Sequence, residues 1–271
     1  MYAEALGNGI RLEMVGIAGG SFLMGSPKQD VAAGPEERPQ HKVTLQPFYI
    51  GKFPVTQAQW AQVASLPKVA LELPFEPAFH SGAQRPVEQV SWYEAIEFCA
   101  RLSQKTGQQY RLPSEAEWEY SARGETTKPY HFGLTISPRL ANYSSCGLDS
   151  NAPRFGGTTP IGYFNAANTF GLYDVHGNVW EWCADPWHEM YRVYIFNYAP
   201  HDGRVWANGN SDRYYNLADN IHSLLKDKSI RVSRGGSWFN EPWFCRSACR
   251  HRMAPHSKYG HLGFRVCRSS P

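Results

Sequence analysis

Residues 234–267 read RGGSWFNEPWFCRSACRHRMAPHSKYGHLGFRVC, and this stretch indicates both the fold and the function. The 24 residues between RGGSW and GFRV follow neither the 3.6-residue period of a helix nor the two-residue period of a strand. Tyrosine, tryptophan, histidine and arginine dominate them, and such side chains give recognition surfaces a large contact area with few rotatable bonds. The stretch therefore predicts an irregular segment that forms a binding surface.

Three helices are predicted earlier in the chain from one repeated pattern, a hydroxyl residue followed three positions later by glutamine or glutamate. In such a capping box the hydroxyl accepts from an early backbone amide, and the later side chain returns to the cap amide. The pairs are Thr56–Gln59, Ser91–Glu94 and Ser114–Glu117. The second helix is amphipathic and ends at Gly107, and the third runs from about Glu115 to Arg123.

Strands are expected at 12–25, around a Gly-Gly turn, and at 43–55, where the sequence alternates and is rich in β-formers. The chain after Gly124 is rich in turns, and the segment 201–229 is polar and irregular, which predicts a surface insertion. The sequence has no linker-like run and no internal repeat. We therefore expect one α+β domain over residues 1–271, with a helical first half and an irregular second half that contains sheet.

Composition excludes several classes of protein. Of the 271 residues, 42% are apolar, which is enough for a sizeable core and too many for a disordered chain. No stretch approaches the roughly 18 apolar residues that a membrane-spanning helix needs, so no membrane contact is expected. The first residues lack the basic and then apolar pattern of a signal peptide, and the cytoplasm is the expected location.

The net charge of +3 is unevenly distributed along the chain. Residues 231–271 carry eight basic side chains and one acid, so this segment is +7 and residues 1–230 sum to −4. A basic segment could attract an anionic ligand or nucleic acid. No basic residues are adjacent, however, which favours arginines that anchor carbonyls and acids of the same protein, and disfavours nucleic acid as a partner.

Seven motifs in a fixed order resemble the formylglycine-generating-enzyme-like, or sulfatase-modifying factor, family. They are GGSFLMGS (19–26), KFPVTQAQW (52–60), PVEQVSWYEAIEFC (86–99), RLPSEAEWEY (111–120), GLYDVHGNVWEW (171–182), RGGSW (234–238) and LGFRVC (262–267). The resemblance implies a variant of the C-type lectin-like fold with little regular secondary structure. It leaves function open, because the family includes oxidases, partners of other enzymes, kinase-linked modules and ligand-binding proteins.

The oxidases of this family hold copper with two cysteines, five residues apart, after an RGGSY motif, so the resemblance implies a copper site at the matching positions. Asn240 and Cys245 stand at these positions here, and an amide is a poor ligand for Cu(I), which prefers thiolates. Cys249 follows Cys245 by only four residues, which gives a different geometry. The spacing of His251, His256 and His261 puts them on one face of neither a helix nor a strand, so they do not predict a metal triad. We therefore expect no copper and no enzymatic activity.

The resemblance also implies a structural calcium ion, bound by two side chains and two backbone carbonyls of the DVHGNVWE stretch. The matching positions are Asp174, Gly177, Val179 and Glu181. Carboxylates and turn carbonyls are the oxygen ligands that calcium prefers. A second family site would use Asn142 and the carbonyls of Tyr143 and Phe155, but Pro153 stands where an acid is expected.

The last segment further resembles the variable region of bacterial diversity-generating retroelement proteins, in which template adenines are mutated. The constant positions of that family are present here as RGGSW, Pro242, CRSA (245–248), Arg250, Pro255 and LGFRV. Positions that hold asparagine in the family are occupied here by Phe239, Asn240, Glu241, Trp243, Phe244, Cys249, His251, Arg252, His256, Ser257, Tyr259, Gly260 and His261. Most of these residues can be reached from an asparagine codon by changing adenines alone, whereas Glu241, Trp243, Met253 and Lys258 need another starting codon.

The leading hypothesis is a non-enzymatic binding protein that presents these thirteen residues side by side on a basic and aromatic surface at 239–261. A protein or an anionic ligand is the expected partner. The hypothesis requires a buried or hydrogen-bonded scaffold, formed by Trp238, Arg246, Ser247, Arg265 and Cys267. Two alternatives remain: a kinase-associated or other regulatory domain with one fixed partner, and a copper-dependent formylglycine-generating oxidase.

Overall fold

The computed structural model describes residues 1–145, 155–194 and 197–270. The helices of these ranges are α1 (Gln57–Ala64), α2 (Trp92–Thr106), α3 (Glu115–Arg123) and α4 (Leu217–Leu224). The strands are β1 (Tyr2–Gly7), β2 (Ile10–Ile17), β3 (Gly20–Met24), β4 (His41–Leu45), β5 (Phe48–Gly51), β6 (Tyr110–Arg111), β7 (Trp180–Pro186), β8 (Arg192–Tyr194), β9 (Asn197–Tyr198), β10 (Arg231–Arg234), β11 (Arg250–Met253), β12 (Leu262–Gly263) and β13 (Cys267–Ser269).

Two sheets organise the chain. The first has the order β1-β2-β5-β13-β6 and is antiparallel throughout, so that the last strand closes against the first part of the chain. The second has the order β11-β10-β7-β12, and only β12 runs parallel to its neighbour β7. Two hairpin-like pairs, β3-β4 and β8-β9, complete the described sheet. The predicted α+β class is confirmed.

The three predicted capping boxes all form. At the start of α2, the Glu94 amide donates to Ser91 Oγ at 3.2 Å, and the Ser91 amide donates to Glu94 Oε2 at 2.8 Å. α2 ends at Gly107, which adopts a left-handed conformation with φ of 70°. These local signals could be predicted because each depends on residues within one helical turn.

The core is built around large aromatic side chains between the helices and the second sheet. Five tryptophans are 1% exposed or less: Trp60, Trp92, Trp118, Trp180 and Trp182. Buried indole nitrogens find acceptors, as when Trp92 Nε1 donates to the Cys183 carbonyl and Trp182 Nε1 to the Val90 carbonyl. The core therefore fixes α2 against β7, the strand that also supports the last segment.

The prediction of an irregular surface insertion at 201–229 is wrong. This segment contains α4, which packs against α2 and contributes Leu217, Ile221 and Leu224 to the main core, each at most 1% exposed. Val205 and Tyr214 are buried in the same cluster. The spacing of the three aliphatic residues is helical, but the polar composition around them obscured it.

Within the described residues, no helix combines the length and the apolar character needed to cross a membrane. The longest, α2, has 15 residues and carries charged side chains.

Candidate binding face

The chain turns sharply after β10, at Gly235 and Gly236. Both residues adopt positive φ angles, 99° and 71°. A Cβ atom on Gly236 would lie 2.5 Å from Cys245 Sγ and 2.9 Å from Cys245 Cα, so only glycine allows this approach. The glycine pair therefore brings the start of the irregular segment against the short 3-10 helix Pro242–Cys245.

Arg234, at the end of β10, is fully buried and holds the next part of the segment in place. Its guanidinium pairs with Glu119 and with Glu115, at 3.1 Å, both on α3. It also donates to the carbonyls of Ser247, at 2.9 Å, and Cys249. One planar cation thus fixes the CRSAC backbone relative to α3.

Three further arginines of the segment form bidentate ion pairs inside the protein. The pairs are Arg246–Glu37 at 2.6 and 2.8 Å, Arg250–Glu115 at 2.6 and 2.9 Å, and Arg265–Glu181 at 2.6 and 2.7 Å. Each guanidinium also donates to backbone carbonyls of distant segments, as from Arg265 to Gly51 at 3.0 Å. We call Arg234, Gly235, Gly236, Arg246, Arg250 and Arg265 the frame.

The expectation of a basic surface is wrong, because most of the positive charge lies inside. Five of the eight basic side chains of 231–271 are buried: Arg231, Arg234, Arg246, Arg250 and Arg265. The exposed Arg252 and Lys258 are paired with Glu189, at 2.5 Å, and Glu94, at 2.6 Å. The interpretation of the arginines as internal anchors is confirmed, and the anionic-ligand hypothesis loses its main support.

Twelve of the thirteen residues predicted to bind a ligand reach the surface. Phe239, Trp243, Arg252, His256 and Tyr259 are exposed, and Asn240, Glu241, Phe244, His251, Ser257, Gly260 and His261 are half-buried. We call these twelve residues the face. Cys249 is a correction, since it is 5% exposed and lies in the main core cluster beneath the segment. Whether the face binds a ligand stays a prediction.

The predicted scaffold is confirmed. Arg246, Ser247, Arg265 and Cys267 are at most 5% exposed. Trp238 is half-buried, and its Nε1 donates to the Gly260 carbonyl at 2.9 Å, which ties the two ends of the segment together.

A row of stacked rings crosses the face. The imidazole of His261 lies between Tyr259 and Phe239, with ring centroids 5.3 and 5.6 Å apart and interplanar angles of 8° and 15°. These are offset-stacked distances, at which aromatic pairs attract beyond the area that they bury. Phe239 is 63% exposed and Tyr259 47% exposed, so the row offers apolar surface to a partner.

The buried Trp180 of β7 supports this row from below. Its Nε1 donates to Asn240 Oδ1 at 2.8 Å, and its ring contacts His251 with centroids 5.1 Å apart. Burial lowers the pKa values of His251 and His261, and the neighbouring Arg252 adds to the effect at His251. Both imidazoles are therefore neutral at pH 7 and supply stacking surface rather than charge.

Sequence reasoning missed the part of the surface that lies outside the last segment. The ring of His80 contacts Trp238 with centroids 5.1 Å apart, and Phe79, which is 74% exposed, contacts His80 at 5.0 Å. These residues lie in a proline-rich loop before α2, and only their aromatic character in a loop could have indicated them. They extend the row of rings beyond the face.

The donor set does not fit a copper site of the kind that the family's oxidase implies. The Asn240 carboxamide oxygen already accepts from Trp180 and from Ser237 Oγ, at 2.6 Å. Burial raises the pKa of Cys245 well above its usual range and that of Cys249 to about 12. Copper(I) prefers two thiolates, and of the two matching positions only Cys245 carries sulfur.

Glu181, one of the predicted calcium ligands, is paired with a positively charged side chain of the protein itself. Both carboxylate oxygens of Glu181 are held by Arg265, and Oε2 also accepts from Trp118 Nε1 at 2.7 Å. A carboxylate neutralised in this way does not fit the role of a calcium ligand. Asp174 accepts from the Gly162 amide at 2.7 Å, and burial raises its pKa to about 6. The carbonyls of Gly177 and Val179 alone do not complete a site.

The described ranges contain no group of three or more His, Cys, Asp or Glu side chains that could hold a metal ion. At the second predicted calcium site, the Asn142 amide nitrogen donates to the Gly157 carbonyl at 2.9 Å. Pro153, the position of the missing acid, lies outside the described residues. The second site therefore stays untested.

Two solved structures share this architecture over almost their whole length. PvdO from Pseudomonas aeruginosa aligns with a TM-score of 0.77 and 30% identity, covering 99% of this chain and 98% of PvdO. Variable protein 1 of Treponema denticola aligns with a TM-score of 0.69 and 24% identity, covering 99% of each chain. The second likeness shows the fold alone. The predicted C-type lectin-like fold of the formylglycine-generating-enzyme type is confirmed.

Sequence relatives define the family. The formylglycine-generating enzyme of Mycobacterium tuberculosis is 30% identical over 96% of this chain and 98% of the relative. The inactive Cα-formylglycine-generating enzyme 2 of Bos taurus is 31% identical over 96% of this chain and 89% of the relative. The family model of the sulfatase-modifying factor enzyme 1-like domain matches residues 8–270. The chain therefore belongs to the sulfatase-modifying factor family.

Proposed function

We propose that this protein is a non-enzymatic binding protein whose face is diversified at the DNA level and takes proteins as its ligands. The observation that carries the proposal is the strict separation of frame and face within one segment. The frame residues are buried, and its arginines are bound to distant parts of the chain, whereas the twelve residues of the face reach the surface. Such an arrangement lets residues of the face change without loss of the fold.

Two buried residues of the segment support the same division, although the other residues that need a different starting codon, Glu241, Trp243 and Lys258, reach the surface. Met253 needs a codon other than a mutated asparagine codon, and its side chain is 7% exposed within the main core cluster. Cys249 is buried in that cluster too. Both residues belong to the scaffold on structural grounds, so a template would hold them constant.

Family membership allows both enzymatic and inactive proteins, as the two relatives illustrate. The choice therefore depends on this chain's own residues. The carboxamide at Asn240 leaves Cys245 without a second thiolate at the matching position, which favours a protein without copper chemistry. The exposed rings of Phe239, Trp243 and Tyr259 favour a protein ligand, because aromatic side chains dominate the energetic centres of protein interfaces.

The proposal is tested by sequencing this gene and its neighbourhood across sibling isolates. We expect a nearby near-copy of codons 234–267 that differs from the gene only where the copy has adenine, with substitutions confined to face positions. An invariant locus without a copy would contradict diversification and favour a regulatory domain with one fixed partner. Metal analysis of the purified protein then decides the oxidase alternative, since stoichiometric copper would contradict a non-enzymatic role.

A further inference from the structure

A pocket of about 450 Å³ lies outside the face, between the segment 25–40, which connects β3 to β4, and the start of β8. The Tyr191 backbone amide donates to the Arg38 carbonyl at 2.9 Å and joins the two sides of the pocket. Pockets that bind small organic molecules have volumes of roughly 300–1,000 Å³. The size of this pocket therefore suits a small organic ligand.

The charged side chains that line the pocket are all positive. They are Lys28, Arg38 and Arg192, and the described residues of the lining include no aspartate and no glutamate. None of the three cations forms an ion pair within the ranges 1–145, 155–194 and 197–270. Cations that share one pocket without a counter-charge repel each other and favour an anion between them.

The acids that lie closest in the sequence are bound to other arginines. Asp30 Oδ2 is 3.4 Å from Arg246 Nη1, and Glu189, three residues before Arg192, is paired with Arg252. The frame arginines are neutralised by carboxylates inside the protein, but the cations of this pocket are not. Their charge is therefore available to a ligand.

Arg38 is held in place by the backbone of the pocket itself. Its Nη2 donates to the Asp30 carbonyl at 2.7 Å and to the Lys28 carbonyl at 3.5 Å, whereas its Nη1 makes no hydrogen bond within the described residues. A guanidinium that is already fixed loses little freedom when it binds an anion. Lys28 and Arg192 are exposed at the rim, from which they can approach the same anion.

The remaining wall of the pocket is largely apolar. Pro27, Pro39 and Met190 line it, and Met190 is 39% exposed. A methionine side chain adapts its shape to an apolar ligand, and covering this wall removes apolar surface from water. An inorganic anion gains nothing from such a wall, so the lining favours an anion that carries an apolar part.

We infer that this pocket binds an organic anion with an apolar body, such as a fatty or aromatic carboxylate, sulfonate or phosphate ester. The anionic group contacts Arg38 and the two cations of the rim, and the apolar body lies against Pro27, Pro39 and Met190. The inference does not rest on the proposed function, since every residue of the lining lies outside 234–267.

The test is a fluorescence titration of the purified protein with the aromatic sulfonate 8-anilinonaphthalene-1-sulfonate, alongside the neutral N-phenyl-1-naphthylamine. Arg192→Met and Lys28→Met should each weaken sulfonate binding roughly fivefold to tenfold, as expected for the loss of one charge-assisted hydrogen bond, and should change binding of the neutral probe less than twofold. Both side chains are exposed and form no ion pair within the described residues, so both variants should fold. Lys228→Met is the matched control, because it removes an exposed cation outside the pocket and should leave both affinities unchanged.

Competition shows which part of the ligand the pocket recognises. Octanoate should displace the sulfonate from the native protein, while inorganic phosphate at the same concentration should not. Equal displacement by phosphate would overturn the assignment to an organic anion. Unchanged sulfonate affinity in both Arg192→Met and Lys28→Met, or no binding of the sulfonate at millimolar concentration, would overturn the site itself.

Discussion

The frame and the face occupy the same segment of chain but lie in opposite environments. Arg234, Arg246, Arg250 and Arg265 are at most 5% exposed and are neutralised by carboxylates, whereas Phe239 and Trp243 of the face are 63% and 47% exposed. The exposed rings agree with the recognition surface that the composition of the segment predicts. The charged arginines are buried instead, because guanidinium groups reach carbonyls and acids of distant segments that rings cannot satisfy.

This contrast explains how an irregular segment can be rigid. Regular strands satisfy their own backbone groups, but the carbonyls of Trp243, Ser247 and Cys249 lack such a ladder and accept from buried arginines instead. The buried arginines therefore hold the backbone of the segment in place, and the exposed side chains of the face are not needed for this.

The largest effect is expected from Arg265→Met. The change leaves the fully buried Glu181 carboxylate without its guanidinium, and breaking a buried pair in this way costs about 3–5 kcal/mol of unfolding free energy. Urea denaturation measures it. Arg252→Met is the control, because its pair with Glu189 is exposed and should contribute less than about 1 kcal/mol. Equal losses of unfolding free energy in the two variants would show that this buried ion pair stabilises the fold no more than an exposed one does.

A smaller effect is expected from Gly236→Ala, which adds a Cβ at positive φ and 2.5 Å from Cys245 Sγ. Strain and overlap together should cost about 2–3 kcal/mol. Gly107→Ala is a matched control, since φ is 70° there and nothing lies within 4 Å of the added atom, so only about 1 kcal/mol should be lost. Similar unfolding midpoints in denaturant for Gly236→Ala and Gly107→Ala would argue against close packing at the turn formed by Gly235 and Gly236.

The pH dependence of stability should change by a smaller amount in His131→Phe. Burial lowers the pKa of His131 to about 4, so the unfolded chain takes up a proton near pH 6.5 and the folded chain does not. This group therefore destabilises the native protein increasingly as the pH falls from 6.5 towards 4. Removing it should recover about 1–2 kcal/mol at pH 4 relative to pH 7, discounted for partial solvent screening. Curves of unfolding free energy against pH that run parallel for the native protein and for His131→Phe would contradict this prediction.

The smallest effects are expected on the face itself. Trp243→Ser and Tyr259→Ser should each lower the unfolding free energy by only about 1 kcal/mol, because about half of each ring is exposed and neither side chain anchors the backbone. Thermal and urea denaturation measure the shifts. A loss above 2 kcal/mol in either variant would move that residue from the face to the scaffold.

Local features could be predicted from the sequence, and long-range ones could not. The cap pairs at Ser91 and Ser114 and the helix end at Gly107 depend on residues within one turn, and all three are as predicted. The contact of His80 with Trp238 joins residues far apart in sequence, and no local pattern indicates it. The resemblance assigns Glu181 to calcium, but its carboxylate is bound by Arg265, a partner that only the folded chain brings close.

The most direct test of the account is a saturation library of residues 234–267, displayed and sorted for resistance to protease. The account predicts that positions 239, 243, 252, 256 and 259 accept most amino acids, while positions 234, 236, 246, 250 and 265 accept almost only the native residue. Uniform tolerance across both sets, or intolerance at the exposed positions, would contradict the separation of frame and face.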